Sequence, residues 1–311
     1  MQKTNSKNFS IGLLLSVFLT GNSIALAAEK KDNNQSDIFS EDDISKLLSI
    51  QPKHSPHISG ISVSYGRFNN HINHSQNPIG SSRADTINLG VTGEFTKDIS
   101  GSFNLNKSNS DGSSSSLGAP NSNQAVDTYG TSGSLNYKIS PTLNGGIFAG
   151  YSNGSGEIES VPGFKNNFSS NNYSAGTYFS KMFPVSDRLS LNLTPSYLFN
   201  NGRSKTSGDA INNITATSNV NKMHLLNINV SATYLVPNSN LSINGGIIKH
   251  ILLDQTNPIG AIENDSNWYT PHVNLSLGLA NNYTVSFYAS KDVSSRSFDN
   301  TYYNLRLLKG F

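Results

Sequence analysis

Reactive side chains gather in few places in this sequence. The segment "HINHSQN" holds His71, His74 and Ser75. A histidine that deprotonates a serine on a strand must share its face, and so stand two residues away. His74 and Ser75 are adjacent, so they point to opposite sides, and Asn and Pro around them read as a solvated loop. His54 with His57, or His71 with His74, supplies two metal ligands each, but no carboxylate cluster completes the shell. Asp111, Asp127, Asp209, Asp254 and Asp265 stand singly, without the pairing that a carboxylate-based hydrolase needs. With no cysteines, a disulfide framework and a thiolate metal site are both excluded. The expectation is a protein that is not an enzyme and carries no cofactor or metal.

Composition points elsewhere. Only 14% of the 311 residues are charged and 35% are hydrophobic; Ser, Asn, Thr and Gly fill the difference. That is too polar for an ordinary core and too poor in charge for a typical disordered chain. The net charge of +2 predicts no nucleic-acid partner. The first residues combine Lys3 and Lys7, a short apolar run over 11–19 and the small residues Ala25-Leu26-Ala27. This is the layout of a secretory signal peptide over 1–27. The run is about half the ~20 residues that a membrane helix needs.

Residues 28–56 form a polar N-terminal segment, periplasmic or lumenal, with one short helix expected over 40–50. Ser40 would cap it, Glu41, Asp42 and Asp43 would load its first turn, and Phe39 with Ile44 would staple it. Pro52 and Pro56 end it. From His57 the period changes to two. Apolar residues alternate over 61–65, 87–95, 99–105, 129–139, 143–151 and 173–179, then over 189–199, 226–236, 241–247, 273–279, 283–289 and 303–311. These are twelve strands. Connections after the even strands are short; those after the odd strands read as long Asn/Ser/Gly loops, such as "NKSNSDGSSSSLGAPNSNQ". The echo "NGGI" recurs at 144–147 and 244–247; glycine in a strand marks close approach or curvature.

A soluble sheet would put charge on its polar face. Here that face is Ser, Asn, Thr and Gly, and aromatic residues such as Tyr65, Phe68, Tyr129, Tyr151, Phe199 and Trp268 sit near strand ends. The expected fold is all-β: a twelve-stranded antiparallel up-and-down transmembrane β-barrel over 57–311, preceded by the short helix, apolar outside and polar within. In lipid every amide needs a partner, so the sheet must close. Strand parity sends Glu94, His250, His272 and Arg306 into the lumen, too scattered for the charged ring of a selective channel.

The chain ends "TYYNLRLLKGF", with Tyr303, Leu305, Leu307 and Phe311 on one face. This terminus resembles the C-terminal assembly signal of bacterial outer-membrane barrels, with Lys309 where an apolar residue is usual. A twelve-stranded barrel preceded by a short helix and ending in Phe resembles the translocator domain of the autotransporters. The resemblance rests on layout over 57–311. It implies outer-membrane location, a helix threading the lumen, and contact with lipid, periplasmic chaperones and the barrel-assembly machinery as a monomer. Because only 28–56 precedes the barrel, the expectation is a barrel-only relative without a passenger. A narrow solute channel and an adhesin-like barrel are the alternatives.

Overall fold

The computed structural model describes residues 56–72, 79–116, 119–161, 164–207, 217–256, 267–293 and 298–311. The signal segment and the helix expected over 40–50 lie outside the described residues. The rest forms twelve strands: β1 (His57–Ile72), β2 (Ile79–Glu94), β3 (Ile99–Ser116), β4 (Ala119–Ser140), β5 (Leu143–Val161), β6 (Phe164–Pro184), β7 (Leu189–Thr206), β8 (Thr217–Leu235), β9 (Leu241–Thr256), β10 (Asn267–Gly278), β11 (Tyr283–Lys291) and β12 (Phe298–Gly310). Each pairs antiparallel with its sequence neighbours, and β12 returns to β1, closing the barrel.

The closing seam runs from Gly60 opposite Gly310 to Ile72 opposite Phe298. The Phe311 N–H then donates to the Ser59 carbonyl at 3.1 Å. The last residue therefore belongs to the ladder. Its ring lies outside, with the side chains of Tyr303, Leu305 and Leu307. Lys309 shares this face. Its Nζ donates to the Asn281 carbonyl in the β10–β11 turn and sits 4.9 Å from the centroid of Tyr283 and 5.9 Å from that of Phe311. The lysine thus ties the end of β12 to the β10–β11 turn and keeps its charge at the headgroup level.

The short connections are tight. Asn238, Asn281 and Asn282 take positive φ there, a conformation that Asn tolerates better than other side chains. The other ends differ from expectation. "NKSNSDGSSSSLGAPNSNQ" is not a loop: β3 and β4 continue pairing through Ser114 opposite Ser122. The β5–β6 and β7–β8 pairs extend likewise, to Glu159 opposite Lys165 and Thr206 opposite Thr217. Apolar alternation vanishes there because the outer face meets water instead of lipid, while the backbone ladder goes on. β4 has 22 residues, about twice what a tilted span needs. The barrel wall therefore stands well clear of the membrane on the side of the odd-strand connections, the outside of the cell for this layout.

The outer face marks that boundary. Along β2 it reads Val91, Leu89, Ile87, then Asp85 and Arg83; along β3 it reads Phe103, Leu105, then Lys107, Asn109 and Asp111. Phe68 and Trp268, expected among the outer aromatics, instead point inward and are buried at 2% and 7% exposure. Each stands one residue out of parity with the outward stripe of its own strand.

The two "NGGI" copies do the same work. On β5, a Cβ at Gly146 would come within 2.7 Å of the Leu135 carbonyl and of the Tyr178 ring. Tyr178 crosses this gap from β6 and donates to Asn136 on β4. On β9, a Cβ at Gly246 would stand 2.5 Å from the Val230 carbonyl, and His272 on β10 reaches Asn229 on β8 at 3.1 Å. Contacts between strands two apart are possible only on the concave side, so this face is the lumen. Gly245, one residue away, has nothing within 3.8 Å of an added Cβ. Gly246→Ala is expected to cost about 1–3 kcal/mol and Gly245→Ala close to nothing, read from the temperature at which the detergent-folded barrel loses its fast unheated gel mobility.

Candidate functional site

The site that a barrel offers is its interior. Alternate residues of every strand face inward, and in the membrane zone most are small and polar. They pair across strands: Asn88 donates to Ser64 at 3.2 Å, Ser102 and Ser134 meet at 3.0 Å, and Ser276 and Ser286 at 2.9 Å. These bonds hold side chains flat against the wall. Toward the outer end three buried apolar groups replace them: Phe68, Ala84 and Tyr302; Val126, Ile158 and Phe168; and Met223, Leu225 and Trp268.

The four lumen residues named from the sequence do not converge. Glu94 lies at the end of β2, opposite His57 and Ser100. Arg306 on β12 donates to Ser62 at 3.2 Å and has no ion pair among the described residues. His272 makes the Asn229 bridge. His250 sits four residues further out, judged by its pairing with Trp268. No ring of charge forms from these groups.

His250 instead heads a chain of polar groups that sequence reading missed. Its Nδ1 bonds Asn227 Oδ1 at 2.8 Å and its Nε2 bonds Thr270 Oγ1 at 2.8 Å. Thr270 also bonds Asp292, and Asn300 donates Nδ2 to Asp292 Oδ2 at 2.7 Å. Thr270 and Asn300 are both 1% exposed. Asp292 lies just beyond β11, where burial pushes its carboxyl above the usual carboxylate range against the opposing hydrogen bonds from Thr270 and Asn300. Trp268 stacks on His250, with centroids 4.7 Å apart and planes 11° apart. The cluster locks β8, β9 and β10 to the β11–β12 hairpin at the outer rim. Counting parity onward from Tyr283 would have sent Asp292 inward; its loop setting hid it.

Polar lumen, apolar belt, closed ladder and rim turns define an outer-membrane β-barrel. The autotransporter beta-domain family matches residues 105–244, from within β3 to the start of β9. These strands are an autotransporter β-domain, and the barrel that they build is a translocator barrel of the bacterial outer membrane, of a family in general non-enzymatic. Among solved structures, the chain resembles the translocator domain of the autotransporter NalP from Neisseria meningitidis at a TM-score of 0.69 and 10% identity, covering 86% of this chain and 92% of that one. The transport unit of the autotransporter AIDA-I from Escherichia coli gives 0.58 and 12%, covering 84% and 92%. The beta domain of the Bordetella autotransporter Brka gives 0.58 and 8%, covering 82% and 100%. No curated protein matches by sequence.

Thr270→Val removes the hydroxyl between His250 and Asp292 at nearly constant shape. Each buried polar atom so orphaned costs about 1–3 kcal/mol, whereas Thr270→Ser keeps the bonds. Trp268 is the chain's one tryptophan, so its fluorescence during thermal unfolding in detergent is expected to report a clear loss for the valine variant and a small one for the serine variant.

Proposed function

We propose that this barrel works as a translocator-type pore whose N-terminal segment, 28–56, enters the lumen from the periplasmic side and rests there. The observation that carries this reading is the inner wall of the membrane zone. It is polar, low in charge and lined by flat-lying Ser, Thr and Asn pairs, a surface that wets a peptide backbone without gripping it. One cation stands apart: Arg306, half-buried and without an ion pair among the described residues. The acidic start of the expected helix, Glu41, Asp42 and Asp43, supplies the charge that complements it. Glu94, His250 and His272 serve in this reading as wall groups rather than as a selectivity ring.

Assembly belongs to the same proposal. Tyr303, Leu305, Leu307 and Phe311 form the outward stripe of the strand that must zip last onto β1. They are the residues that the barrel-assembly machinery would read, after delivery by periplasmic chaperones. The barrel is closed within one chain, which favours a monomer in the lipid.

Two measurements test these points. Deleting residues 29–52 is expected to leave a folded barrel with higher single-channel conductance in planar bilayers. Identical conductance, with the segment fully open to protease in the intact protein, would remove the plug. Phe311→Asp is expected to lower insertion into the outer membrane severalfold more than Ser113→Asp, which changes a water-facing position; equal insertion would deny the terminal ring a special role.

A further inference from the structure

Outside the barrel, above the apolar belt, charge is unevenly shared. On β1 and β2, Arg67 and Arg83 are both consumed by Asp85, at 2.7 and 2.8 Å. On β3 to β5 the same zone is mainly acidic, with Asp111, Asp127, Glu157 and Glu159. On β7 and β8 it is basic. Arg203, Lys205 and Lys222 are all exposed and take part in no ion pair among the described residues. The register sets them side by side: Lys222 faces Asn201, and Arg203 faces Val220. The flanking positions of β6, Asn171 and Ser169, are neutral. One carboxylate, Asp254, lies next to the group, opposite His224.

The level of this patch decides what it meets. Directly below it Tyr197 bonds His224 Nδ1 at 2.6 Å, and the Phe199 and His224 rings are 4.9 Å apart. Amphipathic rings of this kind lie at the membrane–water boundary. Below them Leu193, Leu191, Val230 and Ile247 are exposed and face acyl chains. The three cations stand two to six residues beyond the rings. At ~3.3 Å per residue and a tilt near 40°, that is roughly 5–15 Å above the boundary, within reach of Lys and Arg side chains that bend toward headgroups.

We propose that Arg203, Lys205 and Lys222 form a binding site for the phosphorylated saccharide headgroup of an outer-leaflet glycolipid, with its acyl chains on the apolar stripe of β7 to β9. Guanidinium chelates phosphate oxygens in pairs, and the two ammonium groups supply point charges around them. Three clustered cations, spaced two residues apart along the β7–β8 ladder with one carboxylate beside them, match a headgroup that bears more than one phosphate. A zwitterionic lipid would not need them, and the neighbouring acidic arc would repel the same anion.

The test uses the full-length folded barrel in mixed micelles with diphosphorylated lipid A as the probe. Lipid retained on the protein is measured by native mass spectrometry. Three arms run in parallel: the same lipid stripped of both phosphates, inorganic phosphate as competitor, and raised salt. The expected result is at least tenfold weaker retention for Arg203→Ser/Lys205→Ser/Lys222→Ser. Lys97→Ser/Lys138→Ser/Arg188→Ser, an equal charge change near the opposite rim, is expected to retain lipid like the parent. Equal retention by the parent and the first variant overturns the site. So does equal binding of the phosphate-free lipid, or displacement by micromolar inorganic phosphate, which would make it a soluble-anion site. Should the first variant fold poorly, the parent alone decides: retention that does not fall with salt is incompatible with a site built from exposed cations.

Discussion

Everything in this molecule follows from one constraint: a backbone amide in lipid has no water to bond. Each strand must find two neighbours, and the first and last must find each other. The β1–β12 seam meets that requirement over thirteen paired residues on each strand and adds the Phe311 amide at its lower end. An end of the chain that would fray in water is here part of the ladder. The aromatic terminus is the visible part of that arrangement; the hydrogen bond behind it explains why the residue is held.

Closure in turn separates two surfaces with opposite needs. The outside carries its stripes of Ile, Leu, Val and aromatic residues where lipid touches it, and becomes mostly polar and charged once the wall rises into water. The inside remains polar throughout the membrane zone and turns apolar near the outer end, where Phe68, Phe168 and Trp268 are buried. The usual relation of core to surface is inverted in the belt and restored above it. Stability in the belt therefore rests on the backbone ladder and on lumen hydrogen bonds, while apolar packing contributes mostly at the outer end.

Curvature adds a further demand. Twelve strands bend tightly enough that inward side chains crowd, and glycine relieves the crowding at chosen points. At Gly146 and Gly246 the missing side chain lets Tyr178 and His272 cross a strand and bond the one beyond. The recurrence of "NGGI" is thus a recurrence of one local solution. The His250–Thr270–Asp292–Asn300 chain serves the same end at the outer rim, where β11 is short and apolar belt contacts have run out.

The period-two stripes of Ile87-Leu89-Val91 and Leu226-Ile228-Val230 were legible without a structure, because lipid imposes a strict alternation on any strand it touches. Short turns such as 96–98 and 281–282 were legible for the same reason: they end the stripes. The strand extensions were not, since an outer face that meets water carries no apolar stripe; Ser113 and Asn123 pair without any apolar sign that they do. Arg306 was assignable by counting, but its isolation was not. Nor was the gathering of Thr270, Asp292 and Asn300 around His250, which come from three strands and a loop. Alternation along a strand is a local property that the sequence alone determines. Which inward groups meet depends on register and closure, and those exist only when all twelve strands are in place.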